Sequence, residues 1–371
     1  MTSAGPRAAV GPARSSAPPA SLFGALDVRL QTAVSQFRAA APEPTTDALR
    51  GLYISDGEVD ALLADADSAA PAAPTRPEGR VGDVAAQLHR LIQTYALDPL
   101  DADVLLICLA PEIDRRYERL YGYLQDDMTR RRPTIDLVLR LLEYDSPLIR
   151  RALGPDGHLA KRNLLADTTD AGTEPTSFLS KTLRLHPRIS EYLLGLDHLD
   201  PALESWARFE APASDLFAVD DVSAARTDSL VARFPSPGCW GAPGPLVYLY
   251  GSSPEASLML ARGWASAVGA RLLIVDLDGW RATRGGPGSD AVVAASREAL
   301  LRGAALVLRG LDTAMDRRPD APLHIASLRQ VLANHPTLTF LLGSARWEPS
   351  TCWANRQSLS IKVDELSAAA R

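Results

Sequence analysis

The sequence predicts a multidomain protein, with a mainly α-helical N-terminal region followed by an α/β domain built on a parallel sheet. Three observations carry this reading. Up to about residue 200 the apolar residues recur three and four apart, the spacing of amphipathic helices. The stretch Ser236–Pro245 (SPGCWGAPGP) then breaks the pattern with Pro and Gly. Beyond it, short and nearly continuous apolar runs alternate with helical segments, as strands buried on both faces do.

Composition narrows the functional classes. A chain of 371 residues can bury a sizeable core and should hold two or three domains. The formal net charge of -6 disfavours generic nucleic-acid binding, which needs a basic surface to neutralise phosphates. Cys108, Cys239 and Cys352 lie far apart, with no CxxC and no nearby His, so they read as plain thiols in a reducing, cytoplasmic setting. His89, His158, His186 and His198 stand alone in the sequence, and no metal site is expected. The first 20 residues lack the apolar core of a signal peptide. The longest apolar run, Val104–Ala110, is too short to span a bilayer, so no membrane partner is expected.

In chain order, residues 1–20 are rich in Ala, Pro, Ser and Gly and are expected to be a disordered tail. Residues 21–75 form N-terminal helices and a linker: Ser21–Ala40 carries a helical apolar pattern, and Ser55 with Glu58 makes a capping box. Ala69–Gly82 has the composition of a linker. Residues 76–200 are expected to form a helical and winged-helix domain. Its helices are Asp83–Tyr95, Asp101–Ala110, the segment holding Tyr117, Leu120, Tyr121 and Leu124, Pro133–Glu143 with Pro133 in its first turn, Ser146–Arg151, and Pro187–Leu194 ending at Gly195. Leu164–Leu165 and Phe178–Leu185 read as two short extended pieces around the polar loop Asp167–Thr176, which is why a winged helix is expected. The cluster Arg130, Arg131 and Arg132 reads as a solvated loop facing Asp126 and Asp127, because the next helix is mainly apolar and makes a poor DNA-reading surface.

Residues 201–244 are expected to connect the two parts, with two short helices. Residues 245–371 form the α/β domain. Its strands are Leu246–Tyr250, Leu272–Asp276, Ala305–Leu308, Leu338–Leu342 and Leu359–Val363, and its helices Glu255–Val268, Asp290–Arg302 and Pro322–Asn334. The loop after the first strand sits where a nucleoside triphosphatase carries its phosphate-binding P-loop. A working P-loop reads GxxxxGK[ST]. Here Gly251 matches the first glycine, followed by Ser252 and Ser253, but Ala256 replaces the second glycine, Ser257 the lysine and Leu258 the magnesium hydroxyl. Pro254 has no N–H to donate, and Glu255 puts a carboxylate at a helix start that a phosphate would otherwise favour. Ser253, Pro254 and Glu255 together make a good helix cap. The strand Ala305–Leu308 ends in Arg309 and Gly310 where a metal-holding acid is needed, and Asp312 follows too late. Loss of one transition-state contact commonly costs about 100- to 1000-fold in rate. No catalytic residue and no cofactor are therefore expected in this chain.

Particular blocks carry a resemblance: LYISDGEVDALL, LDPLDADVLLICLAPEIDRRYERLYGYLQDDMTRRRPTIDLVLRLL and LRLHPRISEYLLGLDHLDP, within residues 52–202. They resemble the N-terminal part of large bacterial AAA family ATPases, some encoded with contractile injection systems. The resemblance implies a helical and winged-helix region, then a degenerate AAA domain of P-loop fold, then an intact AAA domain. This sequence stops at Arg371, where a helical lid and the active domain would follow. ATP and magnesium are implied by the resemblance only. So is a role in assembling or remodelling protein complexes, with protein partners docked by the winged helix, AAA ring neighbours or injection-system components. Two other functions remain open from the sequence: a winged-helix DNA-binding regulator, and an ATPase whose site is completed by another chain, through Arg309 or Arg346.

Overall fold

A computed structural model of the chain describes residues 22–40, 54–67, 79–144, 146–154, 157–166, 177–196, 198–212, 221–235, 243–284, 288–314 and 325–363. The tail 1–20, the polar loop Asp167–Thr176 and most of the two Pro/Gly-rich linkers lie outside the described residues.

The first unit is helical: α1 (Gly24–Ala40), α2 (Asp56–Asp67), α3 (Gly79–Tyr95), α4 (Pro99–Ile113), α5 (Arg115–Leu124), α6 (Ile135–Leu142), α7 (Ser146–Leu153), α8 (His158–Lys161) and α9 (Pro187–Leu193). α4 is apolar nearly all round and forms the centre, with Val104, Leu105, Ile107, Cys108 and Leu109 buried. It starts where the Asp98 carboxylate accepts the Asp101 N–H at 2.8 Å and Pro99 fills the first turn. The capping box of α2 forms as its sequence requires: the Ser55 N–H donates to Glu58 Oε2 at 3.0 Å, and the Glu58 N–H to Ser55 Oγ at 3.3 Å.

Pro133 departs from expectation. α6 is capped by Thr134, whose Oγ1 accepts the Leu137 N–H, so Pro133 lies before the cap rather than in the first turn. Its carbonyl instead accepts the Leu183 N–H at 2.8 Å. The reason is a small antiparallel ladder: Thr134 bridges Thr182, and Leu165 bridges Leu185. The Ala166 N–H donates to Arg184 O and the His186 N–H to Leu164 O, each at 2.9 Å. Helices closed by two extended pieces around a loop make the winged-helix arrangement. The Thr134 piece is an addition that the sequence pattern did not reveal.

The second unit holds a six-stranded sheet of β1 (Ala207–Glu210), β2 (Leu246–Tyr250), β3 (Leu272–Asp276), β4 (Ala305–Arg309), β5 (Thr339–Gly343) and β6 (Ser358–Lys362), in the order β1-β3-β4-β5-β2-β6. β2 to β6 are parallel to one another, whereas β1 runs antiparallel to β3. The all-parallel expectation is thereby corrected to a mixed sheet. Among the described residues of 200–235, where two short helices are expected, lie this edge strand and α10 (Asp221–Arg233). ARFE has no apolar run, and its partner is a strand far along the chain (Ala207 opposite Val275, 68 positions later), which local pattern does not report.

Helices cover both faces of the sheet. On one, α11 (Pro254–Val268) buries Leu258, Ala261 and Trp264 against Val247, Ile274, Val307 and Phe340. On the other, α13 (Gly288–Leu301) and α15 (Ile325–Leu332) bury Val292, Ala295, Leu328 and Leu332 against Leu273, Leu306 and Leu341. Two short helices that the sequence reading lacked, α12 (Leu277–Arg284) and α14 (Leu311–Ala314), follow β3 and β4. α13 also meets the helical unit. Its Leu300 and Leu301 join the helical core, and Glu298 accepts from Arg188 Nε of α9 at 2.5 Å. Arg297 donates to Asp200 at 2.6 Å beside it.

Candidate functional site

The carboxyl edge of the sheet gathers the residues that the sequence singled out, because β2, β4 and β5 all end there. In open α/β sheets this edge is where ligands bind. Gly251 follows β2 directly. A Cβ at this position would lie 2.0 Å from the Val363 carbonyl oxygen, so only glycine lets the chain pass the end of β6 so closely. Its N–H donates to Gly343 O at 3.3 Å, while the Val363 N–H donates to Tyr250 O at 2.8 Å. The first glycine is thus explained by strand packing alone.

The rest of the loop builds a helix start. Ser253 Oγ accepts the Ala256 N–H at 3.3 Å, and Pro254 takes the first turn of α11. Ser252 and Glu255 face solvent, but Ala256, Ser257 and Leu258 are buried. Ser257 Oγ has no hydrogen-bond partner, and Leu258 belongs to the apolar layer under α11. The positions that would carry a lysine and a magnesium hydroxyl therefore lie in the core.

Opposite this start, Arg309 at the end of β4 donates from Nη2 to Glu255 Oε1 at 2.8 Å. Gly310 follows with φ of +73°, a conformation suited to glycine, and a Cβ there would meet Asp278 Oδ2 at 2.5 Å. Asp312 accepts the Ser344 N–H with both carboxylate oxygens, at 3.2 and 3.0 Å, tying α14 to the end of β5. Beside them lies an aromatic group that the sequence reading missed. Tyr248 stacks on Tyr250 at 5.6 Å, Trp347 meets Tyr248 edge-on at 5.5 Å, and Trp353 meets Trp347 at 6.0 Å. Tyr248 donates its hydroxyl to Ala345 O at 2.5 Å, and burial, with Asp312 adding to it, pushes the phenol up to about 12. The two tyrosines alternate on one strand, a legible signal, but their tryptophan partners lie about a hundred residues away.

Elsewhere, Arg130 pairs with Asp127 at 3.1 Å as expected, whereas Arg132 pairs with Glu112 at 2.7 Å rather than with the acids nearest in sequence. Glu112 sits on the last turn of α4. Tyr117 and Tyr121 are buried in the helical core. His158, alone in the sequence, is brought beside Asp98 and Asp101, with one ligand atom of each within 4.8 Å of the others. Its Nδ1 lies 3.2 Å from Asp101 Oδ2, a contact made by the placement of α8 over the start of α4. Among the described residues, no helix is long and apolar enough to cross a membrane.

Helices closed by a short antiparallel ladder define a winged-helix protein, here continued by a mixed α/β sheet. The family model described as "Winged helix domain, variant" matches residues 22–207, half of the chain, and the chain belongs to that family. No curated protein matches it in sequence. Among solved structures, it is similar to the crystal structure of the FIGL-1 AAA domain, with 16% identity over 47% of this chain and 65% of that one, and a TM-score of 0.35. It is also similar to a chain in the structure of the E. coli MS115-1 HORMA:CdnC:Trip13 complex, with 14% identity over 46% of this chain and 74% of that one, and a TM-score of 0.29. The chain spans less than two thirds of the first of these. Neither likeness bears on function.

Proposed function

We propose that this chain is a non-catalytic, AAA-like and winged-helix segment that acts in assembling or remodelling protein complexes, with ATP binding absent or weak. The observation that carries this is the ion pair of Arg309 with Glu255 at the first turn of α11. A helix start is an anion site, and here it is filled by the chain's own carboxylate, itself neutralised by the residue that stands in the metal-holding position. The residues present do not fit a magnesium-bound triphosphate. Residues 251–258 include no cation, Pro254 offers no N–H, and the side chains at 256–258 are buried. No reaction step is assigned to this site.

The winged-helix unit is then the part that engages other proteins. The resemblance of residues 52–202 makes injection-system components the partners we assign to it. The DNA-binding alternative is disfavoured by the engagement of Arg130 and Arg132 with Asp127 and Glu112, which occupies two of the three clustered cations. The test is phosphate release from ATP by the purified chain, run beside a mobility shift with duplex DNA at low salt. The expected result is neither magnesium-dependent turnover nor a shifted band. Turnover above background, lost on mutating Ser253 or Arg309, would contradict the reading.

A further inference from the structure

α2 differs from every other long helix of the helical unit in how it is held. α4 buries eight residues, α6 five, α5 four side chains beside Gly122 and α1 three, whereas among the described residues of α2 only Val59 is fully buried. Leu62 and Leu63 are half-buried against the core. The helix packs against α1 and α5. Its remaining anchors are polar and lie at one end. Arg38 of α1 donates to Asp60 Oδ1 at 2.8 Å and to Asp56 O at 2.9 Å, and the Tyr123 hydroxyl of α5 donates to Asp56 Oδ1 at 2.7 Å. Phe37 packs edge-on to Tyr123 at 5.2 Å and completes the floor.

The segment is also self-sufficient in sequence. DGEVDALLADAD carries five carboxylates and no base, presents Val59, Leu62 and Leu63 at helical spacing, and begins with its own capping box. A helix this short is marginal in isolation, so it forms by docking. An apolar groove with a cationic clamp that takes an amphipathic acidic helix is the helix-in-groove mode of recognition.

We propose that the groove between α1 and α5 is a docking site for an acidic amphipathic helix of a partner protein, and that α2 occupies it as a built-in competitor. The partner presents one β-branched or leucine anchor to the Val59 position, two further apolar residues three and four positions on, and a carboxylate to Arg38. The inference rests on the protein-docking role proposed for the helical unit, but not on the state of the loop between β2 and α11. ATP binding would overturn that reading and leave this one standing.

The experiment uses the full chain and a fluorescein-labelled peptide of residues 54–67, read by anisotropy. In a Val59→Asp variant the tethered helix cannot seat its anchor, and the groove is open. The peptide should bind this variant saturably and at least about tenfold more tightly than wild type, whose competent fraction is reduced by α2. Adding Arg38→Glu should weaken that binding several-fold. Equal binding to wild type and variant, or none to a variant that melts like wild type, would overturn the proposal. So would peptide binding that Arg38→Glu leaves unchanged, because the peptide would then sit elsewhere. Loss of the cooperative melting transition in Val59→Asp would also overturn it, since α2 would then be integral to the core.

Discussion

The edge of the sheet and the seam between the two units each hold an arginine–carboxylate pair, and the two pairs have different consequences. Arg309–Glu255 lies at the surface, with side chains 24% and 63% exposed. Water screens it, and such pairs contribute at most about 1 kcal/mol. Its importance is positional, because it fills the anion site at the start of α11. Arg188–Glu298 is 2% and 0% exposed, with Arg302 Nε a further 3.5 Å from the same carboxylate. Taking these charges out of water is costly, so the pair is a weak source of net stability, yet breaking it leaves a buried charge alone. One pair lies in water at the edge of the sheet, and the other is a buried link between α9 and α13.

The largest effect is expected at the seam. Arg188→Ala or Glu298→Ala should lower stability by about 3–5 kcal/mol in denaturant titrations, while an apolar pair such as Arg188→Met with Glu298→Leu should recover most of it. Single substitutions that cost under about 1 kcal/mol would mean that the units are joined by apolar contact alone, through residues such as Leu300 and Leu301.

Acid should act on the same region and on the sheet beside it. Burial lowers His186 to about 4 and His335 to about 3, from an ordinary 6.5. His335 is held between Ser296 Oγ at 2.7 Å and Thr337 Oγ1 at 2.5 Å, where a neutral ring supplies one donor and one acceptor. Between pH 6.5 and about 4 the unfolded chain therefore binds more protons than the folded one, so stability falls as pH falls through that window. Melting temperatures recorded from pH 7 to 4 should show this drop, with a smaller slope in His335→Gln. An unchanged slope would remove His335 from the account.

Smaller effects belong to the edge. Gly251→Ala forces a Cβ against Val363 O and should destabilise by about 1–3 kcal/mol as β6 shifts. Glu255→Ala and Arg309→Ala should each stay within about 1 kcal/mol of wild type in the same titrations. A larger loss would make their pairing structural rather than positional.

The sequence made some of this legible and hid the rest for physical reasons. Ser55 with Glu58, Ser253 with Pro254, and the runs LVYLY, LLIVD and ALVLR announce their structures because caps and buried strands are local patterns. β1 was hidden because ARFE is a charged edge strand whose pairing with β3 is long-range. Arg188 and Glu298 were hidden for the same reason, being 110 positions apart. Pro133 suggests a helix start, but Thr134 offers the better cap, and the carbonyl of Pro133 accepts the Leu183 N–H. At the edge, the residue types of the loop were plain. Their closure onto each other through Arg309 and Glu255, which lie 54 positions apart, needed the fold.

The proposed role of Glu255, as the chain's own anion at the start of α11, is open to direct measurement. Calorimetric titration of the full chain with Mg-ATP, beside a Glu255→Ala variant, tests it most directly. No saturable heat is expected for wild type up to about 1 mM nucleotide, a ceiling of roughly 4 kcal/mol of binding free energy. Magnesium-dependent saturation at micromolar nucleotide, in wild type with the Arg309–Glu255 pair intact, would contradict it.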